Sequence, residues 1–297
     1  MNTLKVRKIV LLALIPVLLC IYILQVVSGH RNTVKYLTLE EEADTVLITK
    51  GDGTEIKVFK EGENWFVSDK KYPVDESTAK TLVSEISSIK ILETVSSSAA
   101  DKARYGLDDA AAVTAALYKD GKLLRTVGVG KASPTAQQTY ITVDGGKDIY
   151  LSSGAITSDF AKSMDDIRSK KVYSLDVAKV TAATATTPAD GAVSVFRNSE
   201  DNSWLGGDSS KVSSWISNIT SLNVQSWAPE NTVLPSEAAG SVMLTAEGKY
   251  IEVTVYATDD ESKYLCTCSE TPYPFYLSSY SAEKYIKTAA DFMTEEN

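Results

Sequence analysis

Two stretches of this chain repeat one pattern, and that repetition limits the fold more than any other feature. Asp75 opens DESTAKTLVSEISSI, and Asp208 opens DSSKVSSWISNITSL. At an offset of 133, Ala79, Leu82, Val83 and Ile86 meet Val212, Trp215, Ile216 and Ile219. The spacing i, i+3, i+4, i+7 is one apolar face of a helix. Each Asp stands where an N-cap accepts the first free amide hydrogens. Downstream, LYKDGKLLRTVGV from Leu117 matches LTAEGKYIEVTVY from Leu244, with Asp120-Gly121 and Glu247-Gly248 where a tight hairpin turn falls. YITVDGGKDIYLSS from Tyr140 matches YLCTCSETPYPFYLSS from Tyr264. The shared Tyr-Leu-Ser-Ser, 150–153 and 276–279, sets an offset of 126 and leads into a second helix. In that helix Phe160, Met164 and Ile167 face Ile286, Ala290 and Met293. Upstream, hairpin turns at Asp52-Gly53 and Asp190-Gly191 precede Trp65 and Trp204.

Strands in separate runs, joined by hairpins and with two helices per copy, predict an α+β fold. It comprises two tandem, similar, mostly antiparallel sheet modules. Each copy is long enough for its own core. The expected divisions are 1–31, 32–175 and 176–297. Two unrelated domains with common turn signals would also share short matches; the length and order of these matches favour duplication.

Ahead of the repeat, Ile9 to Ser28 is a run of twenty residues without a charge. As a helix it spans ~30 Å, the thickness of a bilayer core. Lys5, Arg7 and Lys8 precede it, which keeps that end in the cytoplasm. The expectation is a single-pass anchor in the inner membrane, with residues 32–297 outside the cytoplasm. A cleaved signal peptide at Val27-Ser28-Gly29 is the rival, but its apolar core is shorter, ~7–15 residues. Lipidation at Cys20 meets Leu19 where a small residue is required. The chain is −9, and setting aside Lys5, Arg7, Lys8 and Arg31 leaves residues 32–297 at −13. Such a body repels phosphate backbones, so nucleic acid is not an expected partner.

The only histidine is His30, outside both copies, which removes imidazole acid–base chemistry and His metal sites from them. Cys266 and Cys268 lie two apart on a predicted strand and share a face. Two thiolates make an incomplete zinc site, and the first copy places Thr142 and Asp144 opposite them. Two small residues on one strand face is the plainer reading. Ser-x-x-Lys recurs at Ser77, Ser87 and Ser281 without the elements that accompany it in serine acyl-transferases. Asp165 and Asp291 match between copies, and a carboxylate hydrolase would need them to converge in an apolar cleft with perturbed pKa values. No cofactor or metal is expected. Pro272-Tyr273-Pro274-Phe275-Tyr276 reads as an edge strand, because Pro lacks the ladder donor. Edges can pair with a partner chain, so Tyr273, Phe275 and Tyr276 are candidate interaction residues.

A further pattern runs through the first copy. Tyr105-Gly106-Leu107-Asp108 precedes a strand and a Lys-Asp-Gly-Lys hairpin. Then come Gly128-Val129-Gly130-Lys131, a Tyr-x-x-x-Asp-Gly segment from Tyr140, and Asp165-Asp166-Ile167-Arg168. This order resembles the bacterial envelope family DUF4340, well over about 60–175 and weakly in the second copy. The second copy reads LPSEAAGSV near Leu234 in place of Tyr-Gly-Leu and lacks the Gly-Val-Gly-Lys equivalent. The resemblance implies a single-pass envelope protein without an assigned enzyme activity. Members are often linked with ABC transporters of the gliding-motility type. Tyr105, Gly106 and Leu107 join the candidate interaction residues. The expected function is a non-enzymatic, membrane-anchored accessory or scaffold subunit of such a transporter or envelope complex. The alternative is a binding module for a glycan or small ligand, using its Tyr and Trp side chains.

Overall fold

The computed structural model describes residues 14–23, 34–108, 110–229 and 231–293. Of the run Ile9–Ser28, residues 14–23 are helical with exposed side chains. The remainder of that run lies outside the described residues. Among the described residues no helix is long and apolar enough to cross a membrane. The chain divides into two compact units, 1–168 and 169–297.

The first unit is one ten-stranded sheet. In chain order it contains β1 (Lys35–Thr38), β2 (Thr45–Thr49), β3 (Glu55–Glu61), β4 (Asn64–Val67), β5 (Tyr72–Val74) and helix α1 (Glu76–Ser87). Then follow β6 (Ser88–Ser96), β7 (Val113–Lys119), β8 (Lys122–Ala132), β9 (Gln138–Val143), β10 (Ile149–Ser153) and two single helical turns, α2 (Thr157–Phe160) and α3 (Met164–Ile167). The spatial order is β1-β6-β10-β9-β8-β7-β2-β3-β4-β5. Alternation places Val46, Ile48, Ile56, Val58, Val127 and Val129 on the inner face. Ala79, Leu82 and Ile86 of α1 are buried there, as their helical spacing requires. Each such side chain taken fully out of water contributes ~1.5–3 kcal/mol.

The second unit contains β11 (Lys171–Ser174), β12 (Val180–Thr187), β13 (Gly191–Arg197), β14 (Trp204–Leu205), α4 (Ser209–Ile219), β15 (Ser221–Asn223) and β16 (Ser226–Trp227). After these come β17 (Gly240–Ala246), β18 (Lys249–Ala257), β19 (Lys263–Cys268), β20 (Thr271–Ser278), α5 (Ser279–Ala282) and α6 (Ala289–Phe292). Its main sheet runs β14-β13-β12-β17-β18-β19-β20-β16, and β11 pairs with β15. Read from the other end, this is the first unit's order β6-β10-β9-β8-β7-β2-β3-β4. β6 pairs β1 through Ser88–Ile91 and β10 through its later residues. In the second unit β15 pairs β11 and β16 pairs β20. β11 is therefore the counterpart of β1. It opens the second copy, and for that reason the units divide at Arg168/Ser169 rather than at the expected 175/176.

The repeat is in the fold, but its register differs from the sequence match. The hairpins Asp120-Gly121 and Glu247-Gly248 correspond, all four residues having positive φ as a two-residue turn requires. From there one row crosses the first sheet as Val113, Val129, Ile141 and Tyr150. Its counterpart is Gly240, Val255, Cys266 and Phe275. Beyond β9 the true offset is thus 125, and the shared Tyr-Leu-Ser-Ser was aligned one residue out. The buried pairs are Phe160 with Tyr285 and Ile167 with Phe292. Two short turns replace the single second helix that the sequence suggested.

In both units the last carbonyl of the long helix needs a donor, since it has no partner within the helix. Arg125 Nη1 of β8 donates to Ile86 O, Ser87 O and Leu37 O, each at 3.0 Å. In the second unit Tyr173 of β11 donates from its hydroxyl to Ile219 O at 2.8 Å. One requirement is met by two unrelated side chains.

Candidate functional site

The Tyr105-Gly106-Leu107 segment ends a 3-10 helix, Ala99–Tyr105. Gly106 is left-handed, with φ 67° and ψ 36°. Its amide donates to Ala103 O at 3.2 Å, and the Leu107 amide donates to Lys102 O at 2.9 Å. Glycine is the residue that stops a helix this way without strain. The turn drives Leu107 down onto the sheet face opposite α1, where it is buried.

β8 is built to receive it. Gly128 and Gly130 stand on that outer face, while Val127 and Val129, alternating with them, point to the core. A Cβ on Gly130 would overlap Tyr105 O and stand 2.9 Å from Leu107 Cγ and 3.0 Å from Tyr140 O. A Cβ on Gly128 would overlap Thr142 Oγ1 and stand 3.5 Å from Leu107 Cδ2. Lys131 lies over the turn, so that a Cβ on Gly106 would stand 2.8 Å from its Cγ. Its Nζ reaches Arg104 O at 3.5 Å. The two glycines and Lys131 are a seat for Tyr-Gly-Leu, and this accounts physically for both motifs at once.

Ring surface remains at the rim. The Tyr105 and Tyr140 rings lie 4.6 Å apart, tilted by 51°, and both residues are half-buried. The Arg104 guanidinium sits 5.7 Å from the Tyr105 centroid, and Arg104 and Lys131 are exposed. The site therefore presents a paired aromatic surface with two cations beside it.

The last motif residues close the first unit. Ser163 and Asp166 form a reciprocal capping box at the start of α3. Asp165 accepts from Arg168 at 3.1 Å, and the buried Arg168 guanidinium stacks 3.7 Å from the Tyr72 ring centroid. In the second unit Thr288 and Asp291 make the same box. Asp291 thus corresponds to Asp166, not to Asp165 as the sequence match had it. Amide donation from Thr288 and the nearby Lys287 hold the Asp291 carboxyl below its ordinary range, against the opposing effect of burial. Both aspartates have structural work to do.

The second unit has no such seat. The positions of Gly128 and Gly130 are taken by Thr254 and Tyr256, whose side chains occupy the outer face. Its aromatic run is also placed differently from expectation. β20 is second from the edge, because β16 pairs with it at Ser226–Tyr276 and Trp227–Phe275. Phe275 is buried, while Tyr273 and Tyr276 are half-buried. Trp227 meets Phe275 and Tyr273 edge-on, at 6.2 Å and 6.5 Å. Pro274 contributes its carbonyl, accepting from the Ala228 amide at 3.0 Å.

Cys266 and Cys268 are buried in the second core, opposite Ile141 and Val143 in the corrected register. Burial pushes their thiols up to about 12 and about 11. Among the described residues no group of three metal-ligating side chains assembles. The carboxyl most displaced is one the sequence reading passed over. Glu85 of α1 is raised to about 8, by burial first and then by the neighbouring Asp159 charge. Asp159 is itself paired with Lys162 at 2.6 Å. The available signal was an acidic residue directly beside the core position Ile86.

Two similar antiparallel sheets, each backed by one long helix, with a glycine-seated loop on the first, define a tandem α+β protein. The model of the family described as "Domain of unknown function (DUF4340)" matches residues 65–240. The chain belongs to that family. The match starts in β4, crosses the division between the units and stops at the first residue of β17, extending well past the 175 suggested by the motifs. Neither the curated proteins nor the solved structures compared with the chain give a match.

Proposed function

We propose that this chain is a non-enzymatic, membrane-anchored accessory or scaffold protein that works outside the cytoplasm beside an ABC-type transporter or envelope complex. The observation that carries the reading is the use of the family's own residues. Gly106, Gly128 and Gly130 seat a loop, Asp166 caps a helix, and Arg168 closes the unit on Tyr72. These are contact-forming and shape-holding tasks. The uncharged run Ile9–Ser28 behind Lys5, Arg7 and Lys8 supports the anchor and its orientation. Affinity purification of the full chain in mild detergent tests it: stoichiometric membrane-protein partners are the expected result. Repeated recovery of the chain alone would overturn it.

A second reading is favoured by the Tyr105–Tyr140 pair with Arg104 and Lys131 beside it. Paired rings stack on the apolar face of a sugar, and the nearby cations suit an acidic glycan or a small anionic ligand. Saturable binding of acidic cell-wall fragments, lost in Tyr105→Ala, is its test. Equal binding by the variant removes it.

A further inference from the structure

The outer face of the second sheet has a composition unlike the rest of the chain. Five adjacent strands, β14, β13, β12, β17 and β18, place fourteen side chains on it by the observed register. One of the fourteen, Glu252, is ionisable as a carboxylate. The remainder are Ser, Thr, Ala and a set of large apolar or aromatic groups. One cross-strand row reads Leu205, Phe196, Ala182, Thr245 and Tyr250. Leu205 and Phe196 are each 53% exposed, Tyr250 is 68% exposed, and neighbouring Met243 is 41% exposed. Scattered apolar residues need no explanation, but a contiguous row across five strands does.

The first unit has the corresponding row: Phe66, Phe59, Thr45, Tyr118 and Leu123. There, Glu55 and Lys57 share the face, Lys57 Nζ lies 5.4 Å from the Phe59 ring centroid, and Phe59 and Phe66 are half-buried. The second copy keeps the row and has Glu252 as the one charge among its fourteen side chains.

We infer that the outer face of the second sheet is a self-association surface, and that its occupant is the same face of a second copy of this chain. Charge selects the occupant. Every copy carries the same net charge of −9, so two copies meet with least repulsion across a face whose fourteen side chains include a single carboxylate, Glu252. A twofold axis through the middle of the face lays one apolar row along the other, the arrangement of a self-complementary dimer. Two sheets stacked this way pack ~10 Å apart with their side chains interleaved. The four long strands β13, β12, β17 and β18, ~4.8 Å apart and about 25 Å long, cover roughly 480 Å² per copy, to which the two-residue β14 adds little. The total of about 1,000 Å² is at the lower limit for a specific interface. The dimer is accordingly weak and concentration-dependent.

The test uses the full chain in membranes, with a photo-crosslinking phenylalanine analogue placed at Tyr250. Illumination is expected to give a covalent species of twice the 32.1 kDa chain mass. Phe196→Glu in the same chain is expected to lower its yield about tenfold, and Met243→Arg to do the same. Both sites are exposed, so thermal unfolding should be unchanged, which separates loss of contact from loss of fold. Absence of the dimeric species, an adduct whose mass fits another molecule, or an undiminished yield in both variants would each overturn the inference. None of these outcomes bears on whether transporter subunits copurify.

Discussion

A single hydrogen atom decides the Gly-Val-Gly-Lys motif. At Gly130 the side chain must vanish, because the Tyr105 carbonyl, Leu107 and the Tyr140 carbonyl already fill the place of a Cβ. Backbone atoms cannot rotate away as a side chain can. Gly130→Ala should therefore destabilise the first unit by ~1–3 kcal/mol, the usual range for overpacking, measured by urea unfolding. Gly128→Ala should cost less, since Thr142 Oγ1 belongs to a side chain. At Glu85 the expectation concerns pH. The folded chain holds that proton up to about 8, whereas an unperturbed Glu titrates at 4.5. Between these limits the folded state binds more protons than the unfolded state, so stability falls as pH rises through the window and levels off above it. Glu85→Gln should flatten that decline in a series of thermal melts from pH 4 to 9. An unchanged slope would assign it to other groups. For Cys266 and Cys268, burial and raised thiol pKa values predict no thiolate at neutral pH. Maleimide labelling of the two should wait for unfolding.

At the scale of elements, the long helices and hairpins were legible because their signals are local. Apolar spacing of 3.6 marked α1 and α4, and Asp208 caps α4 through the Ser210 and Lys211 amides at 3.0 Å. Asp75 holds the same N-cap position without a side-chain capping bond. Positive φ at Asp120-Gly121 and Glu247-Gly248 was readable from composition. What failed was register. A strand changes face every residue, so one residue of slip moves every side chain to the other side. The irregularities between Leu117 and Tyr118 in the β7–β8 ladder and between Val129 and Ala132 in the β8–β9 ladder left no sequence mark. Thus Tyr-Leu-Ser-Ser matched as letters while lying on opposite faces in the two sheets. β1 and β11 were missed for another reason: their partners are strands distant in sequence, and four residues carry little periodicity. The candidate seat was half legible. Tyr-Gly-Leu and Gly-Val-Gly-Lys both stand out in the sequence, but nothing in the letters says that one sits on the other. The helix fasteners are testable elements too. Arg125→Ala removes the side-chain donor from Ile86 O, Ser87 O and Leu37 O, of which Ser87 O keeps the Leu39 amide, and should cost about 3 kcal/mol. Tyr173→Phe removes the donor from Ile219 O and the contact with the buried Tyr285 hydroxyl, and should cost about 2 kcal/mol, both by denaturant titration.

For the whole molecule, two compact units with separate cores predict separate cooperative transitions. Calorimetry of the full chain should show two, with Gly130→Ala lowering one and Tyr173→Phe lowering the other. A single transition moved equally by both variants would mean that the units unfold together. The family match spanning β4 to β17 shows that sequence relatedness and structural units are cut at different places along this chain. The different fasteners have a consequence for how such a chain can diverge or be re-engineered. Each unit meets the same requirement at the helix end from a different direction: one from a central strand, the other from its first. A transplant of α4 into the first copy would still find Arg125 waiting. The reverse transplant, of α1 into the second copy, would succeed only with β11 left in place. The exchangeable part is therefore the helix together with the strand that answers it, and recombination that cuts between Tyr173 and Ile219 would part them.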